Sequence, residues 1–346
     1  MSEGTAPRPT VGLVRNGHLP EGKQWWVVAG AAAVLAYMIY APALLLSSFQ
    51  RTLAGVFMFA TLALAWNIIG GFAGYASFGN VVFFGLGGYT TAVLMSKLTW
   101  PFWPAFVVAG IIGAVFAVLV GIPVLRLRGH YFAIATLGVA EGTRELVINA
   151  PSITGGNSGI TIPAVGTEAT TSYPGETGFY YYFLALLLVA VAVSWAVARS
   201  RFGYALRAIQ QDEDGAAAVG VNTTRAKIAA FALSGLLTAL AGALFAFQLV
   251  NIYPQRMFSV EITVLMVVMA VIGGIGTVIG PLIGGVALQF LSEYLRTNFL
   301  DLHTLIFGAI VIVAVIFLPD GAVRFARRIR TERRLSLVEN IQRYRL

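Results

Sequence analysis

Apolar residues fall in long unbroken runs along this chain. They occupy roughly residues 26–46, 53–69, 81–95, 103–125, 131–148, 179–198, 228–250, 262–279, 282–295 and 305–318, with short polar or glycine-rich links between them. A helix needs about 20 apolar residues to cross a bilayer core, so the runs predict about ten membrane-spanning helices. Backbone N–H and C=O groups in hydrocarbon must pair within the protein, which leaves helices or closed barrels. Barrel strands alternate apolar and polar positions, and these runs do not. The predicted fold class is therefore all-α, a polytopic membrane protein. Residues 1–24 are polar and carry Pro7, Pro9 and Pro20, and the first apolar run starts only at Trp25. A cleaved signal peptide begins its apolar core sooner, so the first run reads as a retained span.

Charge fixes an orientation. The connection 151–178 has no Lys or Arg and carries Glu168 and Glu176, whereas 199–227 holds five basic residues. With ten spans, the N-terminal segment, Arg126 and Arg128, the 199–227 connection and the arginine-rich tail share one side. The positive-inside bias makes that side cytoplasmic, so both termini are expected there and the acidic loop outside. The expected organisation is a cytoplasmic segment 1–25, a transmembrane domain 26–319 with an outward loop 150–178 and a cytoplasmic segment 200–222, and a basic tail 320–346.

Composition narrows the chemistry. Hydrophobic residues make up 58% and charged residues 11%, against about 25% charged in soluble domains. Cysteine is absent and His18, His130 and His303 are scattered, so no disulfide framework or metal site is expected. The net charge of +8 does not point to nucleic acid, because eight of the 23 basic residues lie in 324–345, at the membrane edge facing lipid. No G-x-x-x-x-G-K-[ST] loop exists, and neither Lys23, Lys97 nor Lys227 sits in a glycine-rich strand-to-helix turn. The chain is thus expected to be no enzyme, with no catalytic residues and no cofactor of its own.

Three features stand out against the apolar background. Glu141, Arg144 and Glu145 share one helix face in the fifth run, either lining a polar pathway or gate or forming an interfacial salt bridge. Glycine is dense from Gly70 to Gly88, as irregular backbone lining a cavity or as close helix packing. Residues 201–214 read as a short mixed-charge surface helix ended by Gly215 and Gly220, and Asn222 offers a cap to the next span. Such a helix lies on the membrane or docks a soluble partner. The acids Asp212, Glu213 and Asp214 disfavour anionic lipid, which points to a protein.

The stretches GYASFGNVVFFGLGGYTTAV (74–93), LRLRGHYFAIATLGVAE (125–141), TGGNSGI (154–160), SRFGYALRAIQQDEDGAAAVGVN (200–222) and GGIGTVIGPLIG (273–284) together resemble the LivM-type permeases of branched-chain amino-acid ABC importers, in the same order from about residue 53 to 321. The resemblance implies an inner-membrane permease that transports by alternating access. It further implies a LivH-like second permease, two cytoplasmic ATPase subunits that bind ATP and Mg, and an extracytoplasmic substrate-binding protein. Arg201, Phe202, Gly203, Arg207, Ala208, Asp212, Glu213 and Gly220 would form the ATPase-coupling segment, with Arg207 and Glu213 as docking charges. Gly74, Ser77, Gly79, Phe84, Gly87, Tyr89, Glu141 and Arg144 are candidates for the pathway or gate. Thr154, Gly155 and Gly156 are candidates for contact with the binding protein. Urea or short amides as substrates, and a self-contained carrier or channel, remain alternatives at this level.

Overall fold

The computed structural model describes residues 36–162, 173–299, 302–317 and 321. The N-terminal segment, most of the first apolar run, Glu168 and the basic tail lie outside them. The chain divides into two compact units, 1–46 and 47–346. In the first, a single 3-10 turn, Ala41–Ala43, follows helical residues.

In the second unit the apolar runs become helices: α1 Ser47–Asn67, α2 Val81–Lys97, α3 Phe102–Val124, α4 His130–Ile148 and α5 Gly175–Arg199, then two short helices, α6 Arg201–Gln211 and α7 Glu213–Ala218, then α8 Thr223–Leu249, α9 Val260–Gly273, α10 Ile279–Asn298 and α11 His303–Phe317. Among the described residues, five segments suffice by length and composition to cross a membrane: 47–72, 102–124, 175–199, 223–249 and 254–273. α2 and α11 are shorter apolar helices. α4 is interrupted by Glu141, Arg144 and Glu145.

α8 is the central pillar, packed against α3, α2 and α1, while α1 also holds α5, α10 and α9. Small residues permit the close approach of α2 and α8: a Cβ on Gly87 would lie 2.0 Å from the Ala239 carbonyl oxygen, and one on Gly242 equally close to that of Phe84. No larger residue fits either position without moving a backbone, the usual basis of small-residue packing between membrane helices. Ala63, Met269, Ile272 and Leu288 form the core between α1, α9 and α10.

α1 ends in a π-helical turn, Ile68–Phe72, where the indole of Trp66 covers Gly70. Gly70 and Gly71 are thus helical, and the irregular backbone begins only at Ala73. The Asn67 side chain donates to the Thr277 carbonyl (2.8 Å) and accepts from Gly276 N–H (2.9 Å), hooking α1 to the turn after α9. That turn stops α9 at Gly273, short of the predicted run, because Gly274 (φ 121°) and Gly276 (φ 72°) leave helical geometry.

Contacts gather the helix ends into two sets. Arg51 pairs with Glu176, Lys97 donates to the Ser152 carbonyl, Tyr173 to that of Gln248 (3.0 Å), and the two-residue strands Ile160–Thr161 and Asn251–Ile252 pair antiparallel. The stack of Phe102 on Phe247 (4.3 Å), flanked by Tyr173 and Phe179, gives this end an aromatic layer. The other set joins Gly71 to Gly276, the 73–80 loop to α6 and α7, and Leu125 to Lys227. α1–α5, α8 and α9 run alternately between the two sets.

Candidate functional site

α5 stops at Ser200, whose extended backbone turns the chain and whose hydroxyl accepts from Gly203 N–H (3.1 Å), capping α6. α6 buries Gly203, Leu206 and Ile209 on one side and exposes Arg201, Tyr204, Gln210 and Gln211 on the other. Arg207 folds back to donate to the Ala198 carbonyl (3.1 Å) and lies over the Phe72 ring. The expected single helix is two: Asp212 is extended (φ −158°, ψ 110°), and its carboxylate accepts from Asp214 N–H (3.0 Å) to cap α7. Gly215 lies inside α7, and Gly220 (φ 91°) follows its end. Asn222 caps α8 as anticipated. Asp212 and Gly220 are exposed, Phe202 and Ala208 half-buried.

Behind α7 stands an ion cluster. Lys227, one turn into α8, is only 4% exposed. Its ammonium donates to the Tyr75 hydroxyl (2.9 Å), the Leu125 carbonyl (2.9 Å) and Glu213 Oε1 (2.6 Å), using all three protons. Tyr75 donates in turn to Glu213 Oε2. Arg128 approaches the same oxygen at 3.6 Å and grips both oxygens of Asp214 at 2.9 and 2.8 Å. Burial pushes the Glu213 carboxyl up, but the hydrogen bonds from Lys227 and Tyr75 and the charges of Lys227 and Arg128 outweigh it, and the group sits below its ordinary range. The fork from Arg128, then its charge, holds Asp214 low as well. Glu213 therefore binds its own bundle, and reversing its charge would carry a desolvation cost the sequence did not reveal.

The 73–80 loop joins this cluster to the membrane bundle. Gly74 (φ 76°) sits against Gln210, where a Cβ would meet that side chain at 2.9 Å. Trp66 donates to the Ser77 carbonyl (2.7 Å), Phe78 N–H donates to the Thr136 hydroxyl on α4 (3.1 Å), Asn80 to Ser234 on α8 (2.9 Å) and Val81 N–H to Thr263 on α9 (3.0 Å). A Cβ on Gly79 would lie 2.3 Å from the Thr136 carbonyl oxygen. Ser234 is eleven residues into α8, about 16 Å of helix rise, so irregular backbone reaches well into the bundle, buried as such backbone must be. Ser77, Gly79, Phe84, Gly87 and Tyr89 are all buried in this packing, and the structure brings them together around α2 rather than on an open face.

Glu141 and Arg144 belong to a different surface. α4 buries one stripe, Phe132, Thr136, Ala140, Thr143 and Val147. On its open side Arg144 pairs with both Glu141 and Glu145, which are 53% and 51% exposed. Cβ atoms on Gly138 and Gly142 would meet nothing within 4 Å. Glu141 lies seven residues before the end of α4 at Ile148, about 10 Å inside it. The open side of α3 differs: Trp103, Val107, Ile111, Val115, Leu119 and Ile122 are exposed along it, an apolar stripe suited to lipid.

At the opposite end Thr154 is buried, its hydroxyl donating toward the Val147 and Ala150 carbonyls. Gly155 (φ 72°) and Gly156 (φ 56°) shape the turn, and Ile153 before it and Asn157 and Ser158 after it are exposed. Among the described residues no group of three or more His, Cys, Asp or Glu side chains is placed to hold a metal.

The family described as "Branched-chain amino acid transport system / permease component" matches residues 48–315. The chain belongs to this permease family. The high-affinity branched-chain amino acid transport system permease protein LivM of Salmonella typhimurium is 31% identical over 293 residues, 78% of this chain and 68% of the relative. LivM of Escherichia coli is 29% identical over the same shares. LivH of Salmonella typhimurium is 26% identical over 76% of this chain and 90% of its own. No solved structure matches significantly. Within this permease the residues that sequence reasoning missed are Tyr75, Arg128, Thr136 and Lys227. A lone lysine opening an apolar run reads as an interfacial anchor; the only available signal was that acids lie close before it in sequence.

Proposed function

We propose that this chain is a transmembrane subunit of an ATP-driven importer of branched-chain amino acids, located in the cell's inner membrane and working by alternating access. The observation that carries the reading is the family match across 48–315. The relatives named above are permease proteins of branched-chain amino acid systems, and both LivM and LivH kinds align with this chain. A LivH-like second permease is accordingly its partner. ATP and Mg belong to two cytoplasmic ATPase subunits, consistent with a sequence that has no phosphate-binding loop.

The end carrying α6 and α7 is the cytoplasmic one. Arg126, Arg128, Arg199, Arg201, Arg207, Arg225 and Lys227 crowd it, as the positive-inside bias requires. The alternating helices, with α10, α11 and a first span from the run at 26–46, make ten crossings and put both termini inside. Arg201, Tyr204, Gln211 and Asp212 on the exposed side of α6 and its junction form the ATPase dock. Arg207 and Glu213 set its position from behind. At the outer end the 154–156 turn presents Asn157 and Ser158 to a substrate-binding protein.

The α4 face lines the pathway against the second permease. Charge at this depth costs several kcal/mol against hydrocarbon, and exposed Gly138 and Gly142 leave a notch suited to close approach of another helix or to passage of a small solute. Proteoliposomes holding both permeases, the ATPases and the binding protein are expected to accumulate leucine, isoleucine and valine only with ATP at the ATPase face. Uptake of urea or acetamide in preference to leucine, or leucine uptake by this chain alone without ATP, refutes the reading.

A further inference from the structure

We infer that Tyr75 and Lys227 are positioning residues that carry motion of the ATPase-docking pair α6–α7 through the 73–80 loop to α4. The inference deepens the importer reading and rests on it.

Glu213 is hydrogen-bonded by two supports, with Arg128 at 3.6 Å beside the second. One carboxylate oxygen is held by Lys227 of α8, the other by Tyr75 of the loop. A shift of α7 therefore pulls on the loop and the central pillar at once. The loop cannot absorb that pull, because its backbone is tied at Ser77 by Trp66 and ends in bonds from Asn80 and Val81 to α8 and α9. Phe78, three residues beyond Tyr75, donates its N–H to Thr136, and Gly79 lies against the Thr136 carbonyl. The Tyr75 ring itself stands edge-on to Phe132, one turn before Thr136 on α4, at 5.1 Å. Two contacts on successive turns of the buried stripe thus grip α4 from the loop. α4 is the helix held to its own subunit along that single stripe, and it bears Glu141, Arg144 and Glu145 on its open side. It is therefore free to tilt, and its tilt moves the charged face. A chain of packed groups conveys motion only if both ends bias it, so the proposal requires a coupling readout rather than a loss of stability.

The test uses the assembled complex in proteoliposomes and the ratio of leucine imported to ATP hydrolysed. Lys227→Met with Glu213→Gln removes both charges together, so neither is left buried without its partner. Tyr75→Phe removes a single hydroxyl. Both variants are expected to assemble and to hydrolyse ATP, while leucine imported per ATP falls about tenfold or more in the double variant and about threefold in Tyr75→Phe, within the range of one ordinary net hydrogen bond. A ratio within twofold of the parent in Tyr75→Phe overturns the inference, as does a double variant in which hydrolysis and import fall in proportion. Should the double variant not be recovered, Tyr75→Phe alone decides. A parent complex that imports no leucine sinks the importer reading itself, a separate result.

Discussion

Two charged clusters in this permease, each pairing arginine with acids, differ in what they hold. Lys227, Glu213, Arg128 and Asp214, with Tyr75, draw together α7, α8, the 73–80 loop and the α3–α4 connection, and Lys227 is buried with every proton engaged. Among the described residues Glu141, Arg144 and Glu145 pair with one another on one helix, the two carboxylates half exposed. The first is a joint inside the subunit. The second joins no element to another. The difference teaches that the joint ties the chain's own elements together, whereas the ion pairs on α4 tie none of them.

The largest effect should come from breaking the joint on one side. Lys227→Met leaves Glu213 buried without its main partner and is expected to cost about 3–5 kcal/mol of stability, read as a lower denaturation midpoint in detergent. Next, Ile111→Arg places a charge on the apolar stripe of α3 and should cost about 3 kcal/mol on insertion, seen as reduced membrane abundance. Arg144→Met should change stability by less than about 0.5 kcal/mol, as surface ion pairs do, while transport by the assembled complex falls. Equal destabilisation by Lys227→Met and Arg144→Met would erase the distinction between the clusters.

The smallest effect is one of pH. Glu213 and Asp214 titrate below their ordinary values in the folded chain, so the stability they contribute is present above the unfolded carboxyl range, about pH 4. It is lost as pH falls through their lower folded values. Hydrogen exchange corrected for its intrinsic rate should show α6–α7 unchanged from pH 8 to 5 and opening below about pH 4, with α8 still protected. Loosening already at pH 6 would contradict the assignment.

Much of the fold was legible because the force that shapes it most, burial of apolar runs, is written locally. Nine of the apolar runs correspond to helices, and the Asn222 cap and the pairing of Arg144 with Glu141 follow from spacings of three residues. The joint was not legible, because Tyr75 and Lys227 are 152 residues apart and nothing in the sequence near Tyr75 announces a charged partner. The break at Asp212 was hidden for another reason: its side chain caps a new helix just where the acid run looked like one helical surface. Glycines misled in a third way. Gly79 and Gly87 are there because backbone carbonyls of α4 and α8 come within reach of where a Cβ would stand, a fact of packing that a glycine-rich string shares with an open pathway.

The absence of cysteine from the sequence makes the decisive measurement clean. In the assembled complex, single cysteines at Gly138 and at Ile111 can be compared for reaction with a charged, water-borne thiol reagent, with and without ATP. The account predicts that Gly138→Cys reacts, at a rate that changes with ATP, and that Ile111→Cys stays unreactive in both conditions. An unreactive Gly138→Cys in every nucleotide state, or equal reactivity at both positions, would contradict the claim that the α4 face lines the pathway.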